Sequence, residues 1–179
     1  MGHRLSRIVT RTGDQGTTGL ATGDRVAKSS ARIHAIGEID ELNCQLGVLL
    51  TQPLPEAIRA PLARIQNELF NLGGELAMPP AMLIREEDVA RLEADVEALN
   101  AELPPLKEFV LPGGNAPAAH AHLARAVARR VERALWSLNV EAPLNEFAPR
   151  YANRLSDLLF VIARTLARAD GGKEVSWSR

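Results

Sequence analysis

The chain has 179 residues, 46% of them hydrophobic, which suffices for one domain with a full core, and no linker-like shift of composition argues for a second. Lysine and arginine number 21 against 22 aspartates and glutamates, so no overall field draws in nucleic acid or a membrane surface, and any basic site must be local. Cys44 is the single cysteine, which excludes an internal disulfide and any multi-cysteine metal site and points to a reducing, cytoplasmic setting; no apolar run nears the roughly eighteen residues of a spanning helix, and no signal peptide is evident.

The first distinctive segment is TRTGDQGTTGL, Thr10 to Leu20, with three glycines and four threonines ahead of any helical pattern. Glycines let backbone N–H groups converge on an anion, threonine hydroxyls add donors, Arg11 adds charge, and Asp14 offers a carboxylate for magnesium or for ordering the loop. This composition fits a polyphosphate cradle; taken alone it also fits a solvated turn. It is not a Walker loop, because no Lys-Ser/Thr pair follows the second glycine.

Five helices are expected. Ser29 or Ser30 caps the first, which runs to about Gln52 with Ile33, Ile36, Ile39, Leu42, Leu46 and Leu49 at helical spacing. The second carries Leu62, Ile65, Leu69, Leu72 and Leu76 to about Ala77, with Pro61 marking its first turn, and Pro79-Pro80 stops it. The third spans Glu86 to Leu103, after which Phe109 to Gly114 reads as a loop; the fourth and fifth cover about Pro117 to Asn139 and Phe147 to Asp170. Only a short piece before Thr10 resembles a strand, so the architecture is all-α, an antiparallel five-helix bundle. The single domain 1–179 divides into an N-terminal segment 1–28, a bundle 29–170 and a tail 171–179.

On the fourth helix, Arg125, Arg129, Glu132 and Arg133 share a stripe with His122, opposite Leu123, Val127, Val131, Ala134 and Leu138. Guanidinium groups one turn apart can grip several phosphate oxygens, although a charged stripe is also how a solvated face looks. On the first helix, Asp40 falls within the apolar arc beside the small residues Gly37, Cys44 and Gly47; a buried carboxylate needs a cation, and the arginine stripe would supply it. On the fifth, Arg150, Asn153, Asp157, Arg164 and Arg168 form a polar stripe whose Asn153 and Asp157 offer hydrogen bonds to a heterocycle or sugar. No ExxH pair of a di-iron bundle occurs, and no nucleophile–base pair, so a nucleophile would come from the substrate.

In order and spacing, TRTGDQGTTGL, Lys28 with Arg32, GEIDELN (37–43), FVLPGG (109–114), HLARAVARRVER (122–133) and NRLSDLLF (153–160) make the chain resemble the PduO-type ATP:cob(I)alamin adenosyltransferases. The resemblance implies a homotrimer with ATP and magnesium at each subunit interface and cobalamin beside them. Co(I) would attack the 5′ carbon of ATP and expel triphosphate. It places Thr10, Arg11, Thr12, Gly13, Asp14, Gly16, Thr17, Thr18 and Lys28 around the phosphates, Arg133 and Glu132 with them, and Asn153 on the nucleoside. It implies a salt bridge between Asp40 and Arg129 that supports the corrin site, and support there from Arg125, Arg130 and Asp157. Phe109 matches an aromatic that displaces cobalamin's lower ligand, giving four-coordinate Co(II). An electron-donating reductase and an adenosylcobalamin-dependent mutase are the implied partners. Val131, Glu38 and Asn115-Ala116 depart from the family pattern without removing a site residue.

Two other readings are weaker. A non-enzymatic bundle that binds a nucleotide or anion would be favoured by loss of Arg133, Asp40 or the loop glycines, all of which are present. Nucleic-acid binding would require a broad basic surface or aromatic platform, and only 4% of the residues are aromatic.

Overall fold

The computed structural model of the chain describes residues 8–178. Its helices are α1 (Ala31–Leu50), α2 (Glu56–Ala77), α3 (Glu86–Ala101), α4 (Ala116–Glu141) and α5 (Phe147–Ala167), preceded by an antiparallel hairpin of β1 (Thr17–Gly19) and β2 (Arg25–Ala27). Number and order of helices match the periodicity of the sequence. The strands lie elsewhere than expected: Ile8 to Thr10 are not in a strand, the residues before them lie outside the described part, and the hairpin forms within the threonine-rich segment itself.

Helix ends follow local chemistry. Ser30 is the N-cap of α1, its hydroxyl accepting from the Ile33 N–H at 3.4 Å. Asn115 caps α4 by accepting from Ala118 N at 2.9 Å, and its amide donates to the Leu166 carbonyl at 2.7 Å, which ties the start of α4 to the end of α5. α2 starts at Glu56, so Pro61 lies inside the helix and does not open it. At that depth its missing N–H frees only the carbonyl four residues back, in the first turn. α3 stops at Ala101 and α5 at Ala167, shorter than their apolar patterns, with a 3-10 turn at Ala169–Gly171.

The core is continuous and draws on all five helices. α1 buries Ala35, Ile39, Leu42, Leu46 and Leu49 at alternating steps of four and three, the seam of one helix packed along another. Paired amide bonds, Asn43 Nδ2 to Gln66 O at 3.0 Å and Gln66 Nε2 to Asn43 O at 3.2 Å, hold α1 antiparallel to α2. α5 contacts both α3 and α4 and is buried on nearly every side. Among the described residues no helix is long and apolar enough to cross a membrane.

Burial this complete traps polar groups that then need partners. The Tyr151 hydroxyl donates to Glu68 at 2.7 Å, and Glu68 also accepts from Arg64 at 2.7 Å and Arg91 at 3.0 Å. Arg164, expected on a polar stripe, is only 3% exposed. The 104–111 segment and the tail cover that end of α5, so its guanidinium pairs with Glu174 and donates to the Pro104 carbonyl at 2.8 Å. Burial pushes the Glu174 carboxyl up, but the hydrogen bonds and charges of Arg164 and Arg168 outweigh it and hold the group below the usual carboxylate range. Removing one partner of a buried pair leaves the other uncompensated. Glu174→Ala should therefore destabilise the chain by about 3 kcal/mol in urea denaturation, well above the ~1 kcal/mol typical of an exposed pair.

Candidate functional site

The glycine- and threonine-rich segment folds as a loop closed by the hairpin. Gly16 adopts φ +80°, Arg11 φ +59°, and Gly16 N donates to the Gly13 carbonyl at 3.2 Å. A Cβ at Gly13 would lie 3.1 Å from the Lys28 Cε and Nζ and from the Thr17 carbonyl, so a side chain there would crowd the lysine and the facing backbone. Lys28 N donates to Gly16 O at 2.9 Å, Thr10 and Thr12 share a hydroxyl bond of 3.0 Å, and Asp14 and Lys28 are exposed. One bond moors the assembly to the bundle, Ala21 N to Ala77 O at 2.9 Å, and on the preceding carbonyl at the end of α2 Arg32 Nη1 of α1 donates to Leu76 O at 2.9 Å, joining the two helices there. Thr10, Arg11, Thr12, Gly13, Asp14, Gly16, Thr17, Thr18 and Lys28 are thus brought together, and Leu20, buried, pins the hairpin to the core.

A second group gathers on α4 and α5. Arg129 and Arg133 are exposed, and Arg133 Nη1 donates to the Arg129 carbonyl at 3.1 Å. Asn153 Nδ2 donates to Glu132 Oε1 at 3.1 Å, and Asn153 Oδ1 accepts from Arg154 at 2.5 Å. Desolvation raises the Asp157 carboxyl above its ordinary value, Arg154 and Arg129 oppose this, and Glu132 adds to it. Arg129 and Glu132 of the α4 stripe and Asn153 and Asp157 of the α5 stripe therefore occupy one electrostatic neighbourhood, a meeting of the two stripes that spacing along either helix does not give.

Asp40 overturns the burial argument. It is exposed and makes no hydrogen bond or ion pair within the described residues, to Arg129 or to any other group. The core seam of α1 centres on Ala35, Ile39, Leu42 and Leu46, which places Asp40 on the far side with Gly37, Cys44 and Val48. The acids that meet the arginine helix are Glu38 and Glu41, both paired with Arg130. Glu38 is thus a partner across α1 and α4.

The third group is a pocket of about 440 Å3 lined by Leu106, Glu108, Phe109, His122, Arg125 and Phe160. Phe109 is 79% exposed, presented to the pocket and not packed in the core. The tail holds its backbone: Trp177 N donates to Phe109 O at 2.8 Å, Leu111 N to Val175 O at 2.7 Å, and the Phe109 and Trp177 rings meet edge to face at 6.4 Å. Sequence periodicity placed His122 with the charged stripe and Leu123 with the apolar face; His122 is buried at 3% exposure and Leu123 is 48% exposed. His122 instead packs at 6.2 Å from the Phe160 ring. Its Nδ1 and the Nε of Arg125 are buried without a partner, two polar atoms left for a ligand. Phe160 enters the sequence only as the last letter of a motif, and nothing there gives the α4–α5 rotation that turns it and His122 to one cleft.

In one chain the loop and the pocket are far apart, whereas the α4–α5 group adjoins the pocket, with Arg129 one turn from Arg125 and Asp157 close to Phe160. The loop lies at the end of α2, where Asn145, just before α5, bonds to Glu75 at 3.2 Å, whereas the pocket reaches Phe160. From Phe147 to Phe160 is about 20 Å along a helix. No hydrogen bond or ion pair among the described residues links the loop to Arg129 or Arg133.

This geometry has counterparts. The family model for cobalamin adenosyltransferases matches residues 8–166. The chain belongs to the cobalamin adenosyltransferase family. A cobalamin adenosyltransferase of Cupriavidus metallidurans is 57% identical over 180 residues, covering 100% of this chain and 98% of that one. A corrinoid adenosyltransferase of Mycobacterium tuberculosis is 43% identical, covering 99% of this chain and 95% of its own. A solved PduO-type ATP:corrinoid adenosyltransferase from Lactobacillus reuteri, a phenylalanine-to-alanine variant complexed with cobalamin and ATP, superposes with TM-score 0.90 at 28% identity, over 97% of this chain and 100% of that one. The chain is accordingly a corrinoid adenosyltransferase, a transferase by class.

Burial lowers the pKa of His122 in this adenosyltransferase, the Arg125 charge lowers it further, and Glu174 opposes both. The unfolded histidine takes up its proton near pH 6.5 while the folded one resists, so this stabilisation is complete above about pH 6.5 and is lost as pH falls through the folded value. His122→Phe should narrow the gap in Tm between pH 7.5 and pH 5.5, measured by thermal circular dichroism. An unaltered gap would place the acid sensitivity elsewhere.

Proposed function

We propose that the chain transfers the 5′-deoxyadenosyl group of ATP to the cobalt of cob(I)alamin, giving adenosylcobalamin and triphosphate. The observation that carries the corrinoid half is the pocket whose lining combines an exposed Phe109 ring with His122 and Arg125, each holding a buried nitrogen without a partner. An apolar wall with a few convergent polar atoms suits a large ligand edged with amides. The solved relative complexed with cobalamin and ATP supports the same pairing of ligands.

In the proposed step the Co(I) lone pair forms the Co–C5′ bond, the C5′–O bond breaks, and triphosphate leaves with the electrons. Negative charge grows on the leaving group, where Lys28, Arg133 and the loop N–H groups can stabilise it. Magnesium would neutralise part of that charge. The donors available for it are oxygens, the Asp14 carboxylate and threonine hydroxyls, which suit a hard cation. No cluster of three or more metal-binding side chains occurs among the described residues, so the ion would be carried mainly on the phosphates. Phe109, held by the tail, would occupy the lower face of the corrin and keep the lower ligand off Co(II), which then accepts one electron from a reductase.

A homotrimer with sites at subunit interfaces accounts for the lack of any bond between the loop and the arginines within one chain: the loop of one subunit would meet Arg129 and Arg133 of its neighbour. It would also cover Trp136 and Val140, which are 53% and 87% exposed on α4. Asp40 and Arg129, apart and exposed in one chain, would pair across that interface.

Incubation with ATP, magnesium and chemically reduced cobalamin, followed by the spectral change of cobalt–carbon bond formation, tests the activity. Phe109→Ala should leave ATP affinity intact, lower the four-coordinate Co(II) signal in electron paramagnetic resonance, and recover much of its turnover when cob(I)alamin is supplied. A spectrum identical to that of the native chain would make Phe109 a packing residue.

Asp40→Asn and Arg129→Ala should be non-additive in a double-mutant cycle on cobalamin KM, with coupling of about 1 kcal/mol or more. Either substitution should weaken trimer association in sedimentation. Additive effects would remove the inter-subunit bridge from the proposal.

A further inference from the structure

Arg25 belongs to none of the groups above, yet it makes more bonds to the phosphate loop than any residue within it. Its Nη2 donates to the Thr12 carbonyl at 2.7 Å, to the Thr17 carbonyl at 3.1 Å and to Thr17 Oγ1 at 2.7 Å, and its Nε donates to Thr17 Oγ1 at 3.2 Å. No carboxylate pairs with it among the described residues. The hairpin register explains the reach. Arg25 stands opposite Gly19, so no side chain occupies the partner position, and Thr17 lies two residues along on the same face.

We infer that Arg25 is a positioning residue for ATP: it occupies the acceptor side of the Thr17 hydroxyl and so turns the hydroxyl proton outward as a donor for a phosphate oxygen. A hydroxyl has one proton and two lone pairs, and a guanidinium only donates. Both bonds from Arg25 to Oγ1 therefore use lone pairs, leaving the proton for an acceptor beyond the arginine, and anionic oxygens only accept. The same guanidinium joins Thr12, before Gly13, to Thr17, after Gly16, closing the loop across its two glycines. The donor set thus exists before the nucleotide arrives, and its ordering cost falls on folding instead of binding. Lysine would keep the charge but lacks the fixed fork that reaches both residues.

The inference rests on the reading of this loop as the triphosphate site, and the experiment separates the two. Calorimetry of MgATP binding to the full-length protein without corrinoid, together with steady-state kinetics, is applied to Arg25→Ala, Arg25→Lys, Thr17→Val, Thr17→Ser and the Arg25→Ala/Thr17→Val pair. Arg25→Ala should weaken ATP binding about 30-fold, the scale of charge-assisted hydrogen bonds, with kcat and the cob(I)alamin KM unchanged. Arg25→Lys should retain at least about a third of that loss despite its charge, Thr17→Ser should bind nearly normally, and removing Arg25 from Thr17→Val should add less than about threefold.

Full recovery in Arg25→Lys would reduce Arg25 to a source of positive field. Additive losses in the pair would mean that it acts independently of Thr17. Either result overturns the inference. If Thr17→Val alone leaves ATP binding intact, the phosphate-loop reading falls and the role of Arg25 with it; if Thr17→Val weakens binding and Arg25→Ala does not, only the role of Arg25 falls. Arg25→Lys and Thr17→Ser also guard against trivial unfolding, since both keep a hydrogen-bonding side chain on the exposed hairpin.

Discussion

The burial of α5 is the constraint on which the rest of the molecule depends. A helix that is apolar on nearly every side needs neighbours on nearly every side, and α3 and α4 provide them. The polar atoms it carries into the interior then require partners of their own. Ser156 turns its hydroxyl back to the Asn153 carbonyl at 2.8 Å, Tyr151 reaches Glu68, and Arg164 takes Glu174. This last pair extends furthest, because Glu174 belongs to the tail. With Glu174 fixed by Arg164 and Arg168, the residues after it lie alongside 109–111, and their backbone bonds hold the segment that carries Phe109. The exposed aromatic of the pocket is thus held, through four steps, by the solvation cost of one buried arginine.

α4 divides its charges by the same logic. Arg130 is engaged by Glu38 and Glu41 of α1, and those acids raise its pKa above the ordinary guanidinium value. The buried face of α4 sets its rotation, and Arg129 and Arg133, on either side of Arg130 along the helix, are left facing outward. Arg125, one turn earlier, sits at the buried pocket, where desolvation and the Arg129 charge lower its pKa. One helix therefore offers a neutralised arginine to the fold, a desolvated one to the pocket and two free ones to the surface.

At the other end of the bundle the loop shows how weak local structure can still be specific. Its residues have few apolar contacts beyond Leu20, and its shape comes from hydrogen bonds to Arg25, two positive φ angles and one mooring on the last carbonyl of α2, beside the carbonyl that Arg32 of α1 takes. Those carbonyls are the unsatisfied, partly negative end of a helix, which suits Arg32 there. A segment that cannot build a core is ordered by the end of an element that can.

The sequence by itself determined the number of helices, their order, a serine cap at residue 29 or 30, the pairing of Arg129 with Glu132 on one helix and that of Asn153 with Asp157 on another, because each depends on spacing along one helix or on chemistry within a few residues. It also contained, as ordered motifs, the membership in the adenosyltransferase family. It did not determine which side of each helix faces the core. Periodicity gives the angle between residues on a helix but not the rotation of that helix against its neighbours. For this reason Asp40 lies outside and not within, His122 and Leu123 exchange roles, and Arg164 is buried under a tail whose docking no local pattern encodes. The reach of Arg25 to Thr17 was hidden for a related reason: cross-strand register exists only once the hairpin has formed. Tertiary structure decided these points because burial is set by what lies opposite a residue, and what lies opposite comes from distant parts of the chain.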